Sequence, residues 1–203
     1  MDPMSYNGSA CLAMKGKNCV AICSDLHFGT NNLFVCRTAK IFPITPKTFV
    51  GFTGLHTDSQ TIHETLHFRS RLFALREGKE MSPKAVTQLT STLLYEKRFS
   101  PYYCEPIIAG LDADNKPYIA GLDLLGCIAS PEDFVCSGTT SENMMGVAES
   151  FWKPDLEAEP LFQAISQTLM AGLNRDCLAG WGAVVHIITP EKVITRYLKS
   201  RQD

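Results

Sequence analysis

Residues 8–25 restrict most strongly what this chain can fold into. They contain two short apolar runs joined by Gly16-Lys17-Asn18, a turn whose residues tolerate a positive φ. The second run, residues 19–23, is apolar on both faces, and a strand covered on both sides belongs to a buried layer. The segment therefore predicts a hairpin at the centre of a layered fold.

The order of the remaining elements predicts the fold class. Strands are predicted around residues 10–25, 34–54, 107–122, 134–136 and 181–198, and helices over residues 57–77, 83–98, 139–152 and 161–173. Residues 102–106 are predicted as a loop. Short connections between strands imply antiparallel pairing, and strands this apolar need cover on both faces. We therefore expect an α+β fold, a four-layer αββα sandwich of two antiparallel sheets between helix pairs. With no linker or repeat, it forms one domain over residues 1–203.

The helix boundaries carry recognisable signals. Residues 57–60 and 139–142 match the capping box, in which side chains satisfy the first free backbone N–H groups. Ser82-Pro83 matches an N-cap followed by a proline in the first helical position. Gly78 is expected to end the first helix. The side chains predicted to face inward from that helix are Ile62, Leu66, Leu72, Phe73 and Leu75.

The charge of the chain argues against several classes of partner. The net charge is −2, and no run of five or six like charges occurs, so nucleic acid and anionic membranes are not expected as partners. No stretch approaches the ~18 apolar residues that a transmembrane helix needs. Residues 1–7 lack the basic flank and apolar core of a secretory signal.

The eight cysteines are expected to be reduced thiols. None forms a Cys-x-x-Cys pair, and most lie in apolar runs, where a free cysteine behaves as a small hydrophobic side chain. Together with the missing export signal, this pattern predicts a cytoplasmic or nuclear protein.

Residues 63–67 match H-E-x-x-H, the helix motif of zinc peptidases. Two imidazoles four residues apart share a helix face, and Glu64 could act as the general base. However, such a site needs a third ligand. The next histidine, His186, lies in an apolar strand near the C-terminus, so no metal site is expected and these side chains are interpreted as part of a helix flank.

Several segments together resemble one family. They are residues 8–25, 95–99, 123–127, 137–138 and 175–182. Over residues 4–203 the chain is similar to β-type subunits of the 20S proteasome. The resemblance implies the N-terminal nucleophile hydrolase fold, which is an αββα sandwich, and no cofactor.

Active members of that family use their own N-terminal threonine to cleave peptide bonds. Its hydroxyl attacks the peptide carbonyl, and its own α-amine, freed by removal of a propeptide, acts as the base. Carried over to this chain, the resemblance places Ser9 at the nucleophile position and Gly8 before the processing bond. The supporting residues would be Asp25, Lys40, Ser137 and Asp176, whereas Ala179 replaces a further serine.

Three features argue against catalysis. The nucleophile position holds serine, Ala179 lacks a hydroxyl, and only residues 1–8 precede Ser9. The subunits that this chain most resembles keep such short tails uncleaved, and a chain beginning at Met1 would carry an amide where the base should be. We expect a non-catalytic subunit with a vestigial site. An active serine-type peptidase, formed by cleavage between Gly8 and Ser9, remains the alternative.

The resemblance also implies a role at the neighbouring subunit. Residues that match Asp123 and Cys127 project from family members toward an adjacent subunit. Here they would line part of the substrate cleft of the trypsin-like type-2 β subunit. The expected partners are the type-2 and type-4 β subunits in the same ring, the α ring and the opposite β ring, in ATP- and ubiquitin-dependent protein degradation.

Overall fold

Antiparallel strands make up the central layers of the computed structural model, which describes residues 2–30 and 33–202. The strands are β1 Ala10–Lys15, β2 Val20–Asp25, β3 His27–Thr30, β4 Leu33–Arg37, β5 Ile41–Thr45, β6 Thr48–Gly54, β7 Cys104–Leu111, β8 Pro117–Leu122, β9 Ile128–Ala129, β10 Phe134–Gly138, β11 Ala183–Ile188 and β12 Val193–Leu198. The helices are α1 His56–Glu77, α2 Pro83–Tyr95, α3 Ser141–Phe151 and α4 Ala158–Leu173. Met1 and Asp203, the ends of the predicted domain, lie outside the described residues.

Within residues 2–30 and 33–202, the strands form two sheets of five strands and one of two. The first large sheet has the order β10-β1-β2-β11-β12, and the second has the order β5-β6-β7-β8-β9. Strands β3 and β4 pair with each other as a separate ribbon. All pairings are antiparallel, as the short connections predict.

Alternation along β1 shows how the layers are assembled. Leu12 and Met14 pack under α3 and α4, whereas Cys11 and Ala13 face the second sheet. Successive side chains on a strand point to opposite faces, so the buried residues 10–14 of this strand contribute to two cores. Helices α1 and α2 cover the outer face of the second sheet through a third apolar cluster. The predicted αββα sandwich is confirmed.

The predicted hairpin turn and one close approach between the sheets are confirmed as well. Asn18 has a φ of 55°, the left-handed conformation expected of that turn. Gly51 of β6 lies opposite Cys11 of β1, and a Cβ atom at Gly51 would lie 2.5 Å from the Cys11 sulfur. Only glycine allows the two sheets to approach so closely at this point.

Neither predicted capping box forms. Helix α1 begins at His56, so Thr57 lies inside the helix, and the Leu55 N-cap has no side-chain hydrogen bond. Its cap comes from Asn7 instead, whose Oδ1 accepts from the His56 N–H at 3.0 Å. Helix α3 begins after Thr140, which also makes no capping bond. In contrast, the predicted Ser82 cap of α2 is present, with its hydroxyl accepting from the Ala85 N–H.

Two further predictions are wrong. Leu75 is 85% exposed, because nine residues along a helix correspond to two and a half turns and place it opposite the buried Leu66. Residues 104–106 belong to strand β7 rather than to a loop. Pro106 is accommodated there because it pairs with Phe52 on one side, whereas pairing with β8 begins only at Ile107.

The helices of the described residues lack the combination of length and apolar character that crossing a membrane requires.

Candidate functional site

Ends of several strands meet at one edge of the sandwich and bring the candidate residues together. Ser9 directly precedes β1, and Asp25 is the last residue of β2. The pairing of Cys11 with Ser24 places these two positions side by side. Lys40 directly precedes β5, and Gly54 is the last residue of β6 in the opposing sheet. The site is therefore built between the two sheets.

Asp25 and Lys40 form a buried ion pair, with the Lys40 Nζ 2.7 Å from Asp25 Oδ1. Asp25 is 0% and Lys40 is 5% exposed. The carboxylate also accepts from three backbone N–H groups, those of Ala10 at 3.0 Å, His27 at 3.2 Å and Gly180 at 3.3 Å. Removing two charges from water is costly, and a buried ion pair offsets this cost only when further hydrogen bonds satisfy the charged groups. The three backbone N–H groups that bind Asp25 meet this condition.

Lys40 also binds the N-terminal tail. Its Nζ donates to the Gly8 carbonyl oxygen at 3.1 Å, the carbonyl of the peptide bond that leads into Ser9. The Ser9 hydroxyl is buried and accepts from the Gly54 N–H at 3.2 Å. In this chain the Ser9 nitrogen belongs to an amide, which cannot take up a proton at neutral pH. As described, the site therefore contains a hydroxyl and the Lys40 Nζ beside an intact peptide bond.

Residues before Ser9 are held in the cleft by specific contacts. The buried Asn7 side chain donates to the Gly29 carbonyl at 2.9 Å and caps α1 at His56. Gly8 has a φ of 65°, and a Cβ there would lie 2.3 Å from the Leu178 carbonyl oxygen. Gly8 is thus required for the tail to pass this point. The sequence carried no pattern that pointed to Asn7.

Ser137 and Asp176 lie nearby but hydrogen-bond to other residues. The Ser137 hydroxyl contacts Thr53 Oγ1 and donates to the Glu105 carboxylate at 2.9 Å. Asp176 accepts from the Leu178 N–H at 2.8 Å and from the Thr139 hydroxyl. Of the five residues carried over from the family, Ser9, Asp25 and Lys40 are thus the ones that share a compact site.

Thr139 is a site residue that the sequence reasoning missed. Its backbone N–H donates to the Ser9 carbonyl at 2.9 Å, and its hydroxyl lies 3.1 Å from the same oxygen. The same hydroxyl binds Asp176, so Thr139 connects Asp176 with the nucleophile position. Ala179, buried at 7% exposure, provides no hydroxyl there. In the sequence, Thr139 belongs to the predicted capping box of residues 139–142, and that pattern conceals this role.

Two imidazoles border the site. Burial lowers the pKa of His27, and the positive charge of Lys40 lowers it further, against an opposing effect of Asp25. Burial and then Lys40 also lower the pKa of His56. Both rings are therefore neutral at neutral pH. Beside them lies a cavity of about 350 Å³, lined by the tail and by aromatic side chains that include Phe42 and Phe52.

The H-E-x-x-H residues lie on α1, where His63 and Glu64 border this cavity and His67 does not. The His63 ring stacks on Phe42 with the centroids 4.1 Å apart, and the His63 and His67 rings are 6.2 Å apart. His186 lies on β11 and hydrogen-bonds Thr195 at 2.9 Å. Within residues 2–30 and 33–202, no group of three or more potential ligands is placed to hold a metal ion. The third ligand that a zinc peptidase needs is not found there.

Asp123 and Cys127 lie in an exposed turn that follows β8. Asp123 Oδ1 accepts from the backbone N–H groups of Leu125 at 2.9 Å and Cys127 at 2.7 Å. The turn is fixed to α2 because the Ser91 hydroxyl donates to the Gly126 carbonyl at 2.6 Å. The carboxylate is therefore presented to solvent from a rigid support.

Comparisons with known proteins agree on one family. A family model described as "Proteasome subunit" matches residues 5–188. "Proteasome subunit beta type-3" of Dictyostelium discoideum is 49% identical over 205 residues, and "Probable proteasome subunit beta type-3" of Schizosaccharomyces pombe is 47% identical over 204 residues. "Proteasome subunit beta type-3" of Drosophila melanogaster is 44% identical over 205 residues. Each alignment covers 100% of both chains.

Proposed function

The chain belongs to the proteasome subunit family, and we propose that within the proteasome core particle it is a non-catalytic β-type subunit. It assembles with other proteasome subunits and takes part in protein degradation. Its own contribution would be structural, with a vestigial site beneath the N-terminal tail.

The contact between Lys40 and Gly8 carries this proposal. In the N-terminal hydrolase mechanism the lysine acts beside a free amine, but here the Lys40 Nζ binds the carbonyl of an intact peptide bond at 3.1 Å. The Gly54 N–H is bound to the Ser9 hydroxyl, so a donor that could stabilise an oxyanion is already in use. The tail that would have to leave is anchored by both polar ends of the Asn7 side chain.

The test is an intact-mass measurement on the chain isolated from assembled particles, together with a Ser9→Ala particle. The expected mass includes the residues before Ser9, and each peptidase activity of the variant particle should equal that of the wild type. A chain beginning at Ser9, or a peptidase activity lost in the variant, would contradict the proposal and favour the serine peptidase.

We further propose that Asp123 and Cys127 line part of the substrate cleft of the neighbouring trypsin-like type-2 β subunit. Both residues are exposed, and the hydrogen bonds of the turn orient the Asp123 carboxylate. A carboxylate at the wall of a cleft favours basic substrate side chains through charge complementarity. The type-4 β subunit, the α ring and the opposite β ring would be the other neighbours of this chain.

The eight free cysteines are compatible with a reducing cytoplasmic and nuclear environment.

A further inference from the structure

The turn that carries Asp123 is held in shape by its own hydrogen bonds. Asp123 Oδ1 accepts from the backbone N–H groups of Leu125 and Cys127. The Gly126 N–H donates to the Asp123 carbonyl at 3.0 Å, and the Asp123 N–H donates to the Cys127 carbonyl at 3.3 Å. These bonds fix the conformation of the turn, but they do not fix where the turn lies relative to the rest of the subunit.

The two strands that flank the turn restrain it weakly. β8 pairs with β7 as far as Gly121, so the turn lies beyond the last paired position. β9 has two residues, both exposed, and lies at the end of its sheet. A hairpin with so few paired residues has little stability of its own. The place of the turn must therefore be set by another contact.

Helix α2 supplies that contact at Ser91. Its hydroxyl donates to the Gly126 carbonyl at 2.6 Å. Gly126 is buried with a φ of 85°, and a Cβ there would lie 2.5 Å from the Ser91 carbonyl oxygen. The backbone of the turn thus lies directly on the backbone of the helix, which only a glycine permits. A hydrogen bond and a close approach coincide at one point of the turn.

Ser91 is itself held in place by the core. It lies four residues after the buried Thr87 and three before the buried Leu94, so it shares their side of the helix. Leu94 packs in the same apolar cluster as Leu122, the last residue of β8. The core therefore fixes α2 beside the end of β8, and Ser91 extends this fixed position to the turn.

We propose that Ser91 is a positioning residue for the cleavage of substrates with basic side chains. Through Gly126 it would hold the Asp123 carboxylate at the wall of the neighbouring cleft, without touching the substrate itself. The attraction between two charges weakens with distance, so a turn that moves away from α2 binds a basic side chain less well. This inference rests on the proposed function, because it requires Asp123 to line the trypsin-like cleft.

Ser91→Ala is the first test variant. The helix should persist, because alanine favours helix more than serine does. In purified core particles that carry the full-length variant, KM for peptides cleaved after a basic residue should rise about twofold to threefold at unchanged kcat, as expected when a binding interaction is weakened. The rise should stay below the effect of Asp123→Asn. Cleavage after apolar residues should not change.

Three further variants test the contact itself. Ser91→Thr keeps the hydroxyl and should retain the wild-type KM. Thr92→Ala, on the same helix, removes a hydroxyl that donates to the Gln88 carbonyl and should also leave KM unchanged. Gly126→Ala would bring a Cβ against the Ser91 carbonyl and move the turn away from α2. For this variant KM for basic peptides should rise at least as much as for Ser91→Ala.

The double variant Ser91→Ala with Asp123→Asn separates positioning from a general structural effect. If Ser91 acts through the carboxylate, the double variant should have the KM of Asp123→Asn alone. A further rise in KM in that background, or an equal loss of cleavage after apolar residues, would overturn the positioning role.

Failure of this inference can be distinguished from failure of the proposed function. Wild-type kinetics of Ser91→Ala, together with weakened basic cleavage in Asp123→Asn, would refute the role of Ser91 and leave the cleft assignment intact. Wild-type kinetics of Asp123→Asn would refute the cleft assignment and this inference with it.

Discussion

The Nζ of Lys40 lies 3.1 Å from the carbonyl oxygen of Gly8 and 2.7 Å from Asp25 Oδ1. The lysine thus bridges a buried carboxylate and the peptide bond that precedes Ser9. The family resemblance places Lys40 at the position of a catalytic lysine, but in this structure its Nζ fastens the N-terminal tail in the cleft.

Removing Lys40 should strongly destabilise the fold. Lys40→Met would leave the fully buried Asp25 charge without its counterion, which typically costs about 3–5 kcal/mol in the free energy of unfolding. Denaturant titration of the full chain measures this. Combining Lys40→Met with Asp25→Asn should cost clearly less than the two single effects added together. Additive losses would show that the pair is not coupled.

Asn7→Ala should destabilise the chain by about 1–3 kcal/mol, because the substitution leaves the Gly29 carbonyl and the His56 N–H without their partner. Denaturant titration measures the effect. Asn7→Asp keeps an oxygen for the α1 cap but replaces the donor to Gly29 with a second oxygen and adds a negative charge at a buried position, so it should not restore wild-type stability. Wild-type stability of Asn7→Ala would mean that the tail does not anchor the helix.

Stability should fall as the pH drops below about 6.5. Burial lowers the pKa values of His27, His56, His63 and His186 below the ordinary value of 6.5. Between 6.5 and these lower values the unfolded chain binds more protons, so the stabilisation is complete above pH 6.5 and is lost as the pH falls through the folded-state values.

Denaturant midpoints between about pH 8 and about pH 5.5 measure this dependence. His186→Gln should flatten the loss because it removes one of the four groups. His67→Gln should lessen the loss as well, because the interaction with His67 is one of the causes that lower the pKa of His63. A midpoint that stays constant over this range would contradict the prediction.

Asp123→Asn should weaken cleavage after basic residues in the assembled particle by about fivefold, since one partly solvated ion pair is worth ~1 kcal/mol. The asparagine keeps an Oδ1 acceptor for the Leu125 and Cys127 N–H groups, so the turn should persist. Asp123→Ala removes both charge and acceptor and should also disturb the turn. Cleavage after apolar residues is the internal control. Trypsin-like kinetics unchanged by the Asn variant would exclude Asp123 from the neighbour's cleft.

Patterns of short range predicted much of this fold. The hairpin around Asn18, the proline start of α2 and the alternation of elements followed from local preference and apolar periodicity. Leu75 was misassigned because it was grouped with Leu66 although nine residues place it on the other side of the helix. Thr139 was misassigned because a capping motif specifies residue types but not which partner competes for the hydroxyl.

The sequence by itself determined the layers, since strands that are apolar on both faces must be covered on both. The resemblance of residues 4–203 to a known family added candidate positions for Ser9, Asp25 and Lys40. Only the tertiary structure decided that Lys40 binds Gly8 and that Asn7 caps α1. Those contacts join residues that are 32 and 49 positions apart. Hydrogen bonds between residues so far apart along the chain produce no periodic pattern in the sequence.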